Sequence, residues 1–534
     1  MDAYRRPHQS QAAADAIPLL VGQTYHLFHL TTPANTVHHP PRLRSCWSRL
    51  RSTDLVNWTR DPRPVITPGE QPTEPDTSGA WTGSAVLGPD GRMNIFYTGY
   101  SLPQEGKQVV IRITARDREG AVFDEERQPI VTKTTNSHLS QFEDIDFRDP
   151  FVFFNEGAGE YWMLVATRLR EGPYWTRGCI ALLTSPDLQE WAVEPSPLYA
   201  PGDMFCPECP ELFALPNGKW YLVYSRFTAP NAGTVYRVGD SPRGPFRAPR
   251  DGSHGRLDGR RWYAAKSCPK AGSPEKRVFF GWIADRCEED GKWLWGGDLA
   301  VPREVFADAD GFLRIQPAAQ VLAVLERLSC SVQSTAATTL YLSSIGATEV
   351  EFPKILGLAN MSTDVLIQMR INRSDAASFG FVLNADRELK AHRIQFIPAG
   401  NLTWTALLLA DSIPYDDFWA DQYALHTPRS IDGPEIVRHD GIIIDGPVSL
   451  FLHGNLVECF VGGRSMSFRL PGPASSRTTS NNYPVDGKPN GHMFHQENRQ
   501  RVGLFVEDGT VAVDVLVRAI GDSCSTTKSW RARA

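Results

Sequence analysis

Three carboxylates, Asp15, Asp149 and Glu208, each stand just ahead of an apolar strand that a second, aromatic-rich strand follows. Carboxylates packed close together raise the pKa of at least one of them, which yields a proton donor and an ionised partner at the same pH. That pair is what cleavage of a glycosidic bond requires. A lone Asp or Glu at such a place is most simply a solvated turn residue. Three at one phase of a repeat point instead to a shared polar site.

The elements that must position them form a repeat. Hairpins beginning at Asp15, Ser84, Asp149, Glu208 and Lys266 each open on a short hydrophobic run and turn at a Gly-containing segment. Each returns through a strand of alternating bulky residues, as a β-hairpin does. The returning strands start near Thr24, Met93, Tyr161, Trp220 and Arg277, 57 to 69 residues apart. That period is too long for a solenoid turn and suits a four-stranded propeller blade. A second repeat agrees, because Ser52-Thr53-Asp54-Leu55-Val56-Asn57-Trp58 recurs as Ser185-Pro186-Asp187-Leu188-Gln189-Glu190-Trp191. In a propeller the first strand of each blade lines the central channel, so Asp15, Asp149 and Glu208 become neighbours on the axis.

Beyond the fifth unit the pattern changes. Residues 317–328 carry apolar positions at helical spacing behind Pro317 and read as a linker helix. Alternating segments at 364–373, 378–384, 392–398, 448–452, 456–461, 466–470, 502–506 and 511–519 read as an antiparallel β-sandwich. The stretch 471–499, rich in Ser, Asn, Pro and Gly, reads as a loop. The expected organisation is therefore all-β: a five-bladed propeller over 1–315, a linker helix over 316–334 and a sandwich over 335–534.

Composition narrows the chemistry. The 534-residue chain is 41% hydrophobic with a net charge of -6, which gives no basic field for nucleic acid and leaves a small polar ligand as the expected partner. No window reaches transmembrane length, so no membrane partner is expected. The N-terminus has no apolar stretch of signal-peptide length, and nine cysteines without regular spacing read as reduced thiols, so a cytoplasmic location is expected. Sequons at Asn57, Asn360, Asn372 and Asn401 would then carry no glycan. Cys206-Pro207-Glu208-Cys209 has CxxC spacing but lacks a second ligand pair, so no metal is expected. The sandwich is open to a role in a homodimer or in supporting the propeller, and the sequence does not choose.

Two short motifs, Phe147-Arg148-Asp149-Pro150 and Glu208-Cys209-Pro210, resemble those of the family 32 glycoside hydrolases, the invertase, inulinase, levanase and fructosyltransferase group. Tyr25 to Phe28, Trp47 with Ser52 to Trp58, Trp81 to Ser84, Tyr263 to Lys266, Val301 to Glu304, Asn455 to Phe460 and Gly503 to Phe505 fall in the same order. Of that family's N-terminal Trp-Met-Asn-Asp-Pro-Asn-Gly block only Asp15 stands here. The resemblance implies a five-bladed propeller plus sandwich that cleaves terminal β-D-fructofuranosides with retention of configuration and without metal or organic cofactor. Asp15 would be the nucleophile, Glu208 the general acid/base, and Asp149 the residue that binds fructose hydroxyls. Arg148 would bind sugar and balance the carboxylates, and Trp47, Trp81 and Ser84 would line the pocket. An arabinofuranoside-active propeller glycosidase and a non-catalytic sugar-binding propeller remain as alternatives, as does fructosyl transfer beside hydrolysis.

Overall fold

The computed structural model describes residues 2–8, 11–34, 36, 44–124, 126–132, 137–227, 232–286, 293–328, 338–351, 364–383, 392–409, 436–470 and 502–520. The 471–499 loop and the Asn360 sequon lie outside these residues. Five blades of mainly antiparallel strands follow one another in sequence. Blade 1 contains Ala13–Val21, Thr24–Thr31, Cys46–Ser52 and Thr59–Arg60; blade 2 contains Gly79–Leu87, Met93–Ser101, Lys107–Thr114 and Gln128–Pro129. Blade 3 has Phe142–Asn155, Glu160–Leu169, Gly178–Ser185 and Glu190–Val193, and blade 4 has Glu208–Ala214, Trp220–Arg226 and Gly233–Gly239. In blade 5, Trp262–Lys270 pairs with Ser273–Arg286, against which Trp293–Leu299 and Arg303–Ala307 pair in succession, with Leu313–Pro317 outermost. Pairing of Ala13 with Gly297 joins blade 1 to blade 5 and closes the ring.

Every inner strand breaks register at the same place. The irregularities fall between Ala14 and Ala16, Trp81 and Gly83, Arg148 and Phe151, Glu208 and Glu211, and Tyr263 and Lys266. A β-bulge adds a residue that re-aims side chains out of the plain alternation. Three of the bulges hold a non-glycine residue at positive φ: Asp149 at 57°, Cys209 at 52° and Ala264 at 48°. Gly83 is needed on the blade 2 bulge, because a Cβ there would lie 1.8 Å from the Phe96 carbonyl oxygen.

The repeated Ser-x-Asp-Leu motif is a turn between third and fourth strands. In both copies the serine hydroxyl accepts the backbone N–H of the leucine, 2.9 Å for Leu55 and 3.0 Å for Leu188. Both leucines are buried in left-handed backbone, at φ 65° and 69°, and the tryptophans that close the motif pack inward.

After the helix Ala319–Leu328 the chain forms Thr338–Glu351, Asp364–Ser374, Ser378–Leu383, His392–Gly400, Thr403–Leu409, Ile436–Ile442, Val448–His453, Leu456–Val461, Arg464–Arg469 and Val502–Ile520. The two segments expected at 502–506 and 511–519 are one strand of 19 residues. Its first part pairs with Ser378–Leu383 and its second with Asp364–Ser374, so it passes from one layer of the sandwich to the other. Thr338–Glu351 pairs with it from Leu504 to Val515, across the crossing. Gly509 marks the crossing, at φ 136°, where a Cβ would meet the Ala376 backbone at 2.5 Å.

A buried charge network ties the sandwich to blade 5. The fully buried Arg303 donates to Asp258 at 2.6 Å, to Glu458 at 2.8 Å and to Ser467 at 2.7 Å. Arg469 donates to Asp298 at 2.6 Å, and Arg6 reaches the same carboxylate from the N-terminus at 2.6 Å. These guanidiniums hold Asp258 and Asp298 below the usual carboxylate range against the opposing effect of burial.

Removing one partner of a buried pair leaves the other charge uncompensated. Arg303→Met is therefore expected to cost about 3–5 kcal/mol, read as a lower urea midpoint; an unchanged midpoint would show that the network does not hold the two parts together. Stability should also fall in mild acid. Burial lowers the pKa of His29 to about 3 and of His439 to about 4, whereas the unfolded chain binds these protons near the ordinary value of about 6.5. Their contribution is complete above that value and is lost as pH falls toward the folded values. Unfolding midpoints measured at about pH 7 and about pH 5 should differ in that direction.

Candidate active site

The bulges converge on one pocket. It is lined by Asp15, Leu30, Trp81, Thr82, Asp149, Glu208, Cys209, Tyr263, Trp282 and Trp295. Asp15 comes from blade 1, Asp149 from blade 3 and Glu208 from blade 4. All three expected carboxylates therefore meet, and each arrives on the inner strand of its blade.

The phase differs from the sequence reading by one residue. Asp15, Thr82, Asp149, Cys209 and Ala264 occupy the bulges, so Glu208 corresponds to Arg148 and Tyr263, the residues just ahead of them. That offset makes a row of contacts across three blades. Arg148 Nη2 donates to Glu208 Oε1 at 3.0 Å, and the Tyr263 hydroxyl donates to Glu208 Oε2 at 2.7 Å. The acid is thus held at both oxygens, in one orientation.

Bulge residues make a second set. The Cys209 N–H donates to Asp149 Oδ2 at 2.9 Å, and its thiol lies 3.7 Å from the same oxygen and 3.8 Å from Asp15 Oδ2. Trp282 Nε1 donates to Asp15 Oδ1 at 2.8 Å. Burial, then Asp149 and Asp15, push the Cys209 thiol well above its ordinary range, so it stays a neutral donor between two carboxylates. Cys206 is raised in the same way by burial, and neither half of the CxxC is a thiolate at neutral pH.

Arg148 is fully buried behind the pocket instead of lining it. Besides Glu208 it donates to Asp146 at 2.6 Å and to Gln108 at 3.3 Å, and Asp146 in turn accepts from Arg168 at 3.0 Å. Its place is charge balance among the acids.

Of the three residues expected to line the pocket, Trp81 does, stacked on Tyr100 with centroids 4.1 Å apart. Trp47 does not. It is buried beneath Trp81, donating its indole N–H to the Trp81 carbonyl at 3.0 Å. Ser84 is also outside the lining, because its position two residues past the bulge turns its hydroxyl to the Val152 N–H, 2.8 Å away, where it fastens blade 2 to blade 3.

The sequence reading did not single out Thr82, Tyr263, Trp282, Trp295, Leu30 or Cys209 as lining residues. Aligning the five hairpins on the bulge would have found Thr82, Cys209 and Tyr263, since all three sit in motifs already noted. Trp282 and Trp295 lie on the second and third strands of blade 5, which the hairpin phase does not reach. The Thr82 hydroxyl is buried at the pocket wall and finds no hydrogen-bond partner among the described residues, leaving its bonding capacity to whatever fills the pocket.

Three acids on separate strands, fixed by donors on every side, can deliver a proton, carry a negative charge and grip hydroxyls within one cavity. Indole rings from Trp81, Trp282 and Trp295 supply the flat apolar walls a sugar ring needs.

Comparison with known proteins agrees with this geometry. Similar proteins include the β-fructofuranosidase insoluble isoenzyme CWINV1 of Arabidopsis thaliana, 26% identical over 326 residues, 56% of this chain and 53% of that protein. The fructan 6-exohydrolase of Beta vulgaris is 26% identical over 354 residues, covering 60% and 55%. The chain spans about half the length of the curated relatives it matches. Among solved structures, the fructan 1-exohydrolase IIa of Cichorium intybus superposes with a TM-score of 0.64 at 19% identity, covering 96% of each chain. The exo-inulinase of Aspergillus awamori gives 0.67 at 18%, covering 97% of this chain and 98% of that one. Both share the propeller and sandwich architecture. Residues 17–317 match the family described as "Glycosyl hydrolases family 32 N-terminal domain", beginning two residues past Asp15, and the chain belongs to that family.

Proposed function

We propose that this protein is a retaining glycosidase that releases terminal β-D-fructofuranosyl units from sucrose or fructo-oligosaccharides through a covalent fructosyl-enzyme intermediate. The observation that carries this reading is the meeting of Asp15, Asp149 and Glu208 in one pocket, each with its own hydrogen-bond donors. Asp15 attacks the anomeric carbon while Glu208 gives its proton to the departing oxygen. Water, or an acceptor sugar in the transfer variant, then surrenders a proton to Glu208 and displaces Asp15. Asp149 accepts hydrogen bonds from fructose hydroxyls, with Thr82 beside it.

The environment supports this division of labour. Asp15 is oriented by an indole N–H, a neutral donor that fixes its attacking geometry without adding charge. Glu208 is braced between Arg148 and Tyr263, so that after it loses its proton the carboxylate meets a cation and a hydroxyl already in place. The names of the relatives support the substrate class. A cytosolic location is part of the proposal, and the six described cysteines, all buried and unpaired, are in keeping with it.

Glu208→Gln is expected to lower kcat on sucrose and inulin-type oligosaccharides by about 10²–10⁴, followed by fructose release. Retention of the product anomer, observed by NMR at early times, is the second requirement, and an inverted product would overturn the covalent route. Trp282→Phe keeps the ring and removes the donor to Asp15; kcat should drop by about tenfold or more with KM little changed, and an unaltered kcat would separate the indole from the nucleophile's positioning.

A further inference from the structure

The loop joining the second and third strands of blade 3 carries two aromatic rings to solvent at the pocket end of the propeller. We propose that it is a platform for the leaving-group chain of a fructan, meeting sugar units beyond the one at the scissile bond. This rests on the glycosidase reading and narrows its substrate class to chains longer than a disaccharide.

Tyr174 and Trp175 are 48% and 45% exposed, yet neither ring is loose. They stand perpendicular to one another with centroids 5.0 Å apart, and both rest on the buried Phe205, at 5.4 and 5.3 Å. The Arg168 guanidinium is clasped between the Tyr174 and Phe205 rings, at 4.2 and 4.0 Å, and also donates to the Tyr174 carbonyl at 3.1 Å. Gly178, where the loop ends, donates to the Met204 carbonyl at 3.0 Å. It lies so close that a Cβ would meet the Phe205 backbone at 2.5 Å. Rings held in this way lose little freedom when a ligand arrives.

Their position gives them a side. Pairing of Arg148 with Ala166 and of Arg168 with Gly178 brings the loop out at the end of the blade where the pocket lies. Phe205 precedes Glu208 by three residues, which is at most about 10 Å of chain. Glu208 protonates the leaving oxygen, so the rings stand where the leaving group departs and not where the terminal fructose is bound. Neither ring lines the pocket itself, and the fructose inside does not touch them. The sugars that follow along the chain do.

The chemistry fits an oligosaccharide better than a protein. Two rings on a loop that opens with the exposed Arg170 and Glu171 make too small an apolar patch for a protein interface. Flat rings bordered by hydrogen-bonding charges match the C–H face and hydroxyl rim of a sugar. Arg168 adds a link to the chemistry, since it pairs with Asp146, which pairs with Arg148, which holds Glu208.

Trp175 is the residue to change, because Tyr174 also shields Arg168. Wild type, Trp175→Phe and Trp175→Ala would be compared on sucrose, a fructan trisaccharide, a fructan tetrasaccharide and inulin, with thermal midpoints as the folding control. Trp175→Ala should lower kcat/KM on the tri- and tetrasaccharide about five- to twentyfold, chiefly through KM, leave sucrose within about twofold, and be largely restored by Phe. Equal losses on sucrose and the longer chains, or no loss on any, would overturn the platform while leaving the glycosidase standing. Wild-type protein that cleaves none of these would sink the glycosidase reading, and calorimetry then decides the platform. Tetrasaccharide binding that Trp175→Ala abolishes supports it, and wild-type protein that binds no tetrasaccharide overturns it.

Discussion

A regular β-strand sends its side chains alternately to the two faces of its sheet, and in a propeller both faces are covered by neighbouring blades. No residue of a plain strand would point into the central channel. The bulge repeated in all five inner strands relieves that constraint, and the site depends on it. The bulges bring Asp15, Thr82, Asp149 and Cys209 to the pocket, together with Trp81, Glu208 and Tyr263 from the position just before. Left-handed backbone at a residue with a Cβ costs about 1–3 kcal/mol, and the strained N–H groups are each held by a side chain. Asp149 donates to Thr98 at 2.8 Å, Cys209 to Asp149 at 2.9 Å and Ala264 to Ser225 at 3.0 Å. One of those acceptors is itself a site carboxylate, so backbone strain and chemistry are settled by the same bond.

Gathering three acids into a buried pocket creates an electrostatic problem that the donors answer in two ways. Arg148, which keeps its charge under any burial a protein imposes, is set behind Glu208 and Asp146. Asp15 instead receives the Trp282 indole, and a thiol stands between it and Asp149. A thiolate at Cys209 would add one more negative charge to the cluster. Burial beside two carboxylates keeps the proton on sulfur, and the residue supplies a weak donor where an anion would be repelled.

How much of this the sequence shows follows from which interactions are local. Hairpin phase, turn glycines and alternation are local, and they place Asp15, Asp149 and Glu208 together on one axis. Bulge position is not local, because it is defined by the partner strand. Glu208 therefore reads as equivalent to Asp149 when it is equivalent to Arg148, and Ser84 reads as lining when it faces blade 3. Trp47 belongs to the same class: an indole near the site by motif is buried beneath Trp81 by packing. In the sandwich, 502–506 and 511–519 look like two strands because Asp508 and Gly509 resemble a turn. The long partner Thr338–Glu351 keeps the chain extended through them, and that partner lies more than 150 residues away in sequence.

The sandwich enters the chemistry through the seam where the ring closes. A propeller is held shut by what joins its first blade to its last, here the Ala13–Gly297 pairing together with side-chain bonds such as that from the Ala271 N–H to the Tyr25 hydroxyl at 2.8 Å. Asp15 stands two residues past that pairing, and Trp282, its indole donor, is on the neighbouring strand of blade 5. Arg469 of the sandwich donates to the carbonyls of Ala284 and Ile283, at 2.9 and 3.4 Å, directly behind Trp282. The same guanidinium holds Asp298, next to Gly297, at 2.6 Å, and Arg6 clasps that carboxylate from the segment that leads into blade 1. The two strands that bring Asp15 and Trp282 within 2.8 Å of each other are thus fastened from outside by one arginine of the second domain and one of the N-terminal segment. The position of Asp15 is in this sense a property of both domains, and the sandwich acts as the clasp of the ring.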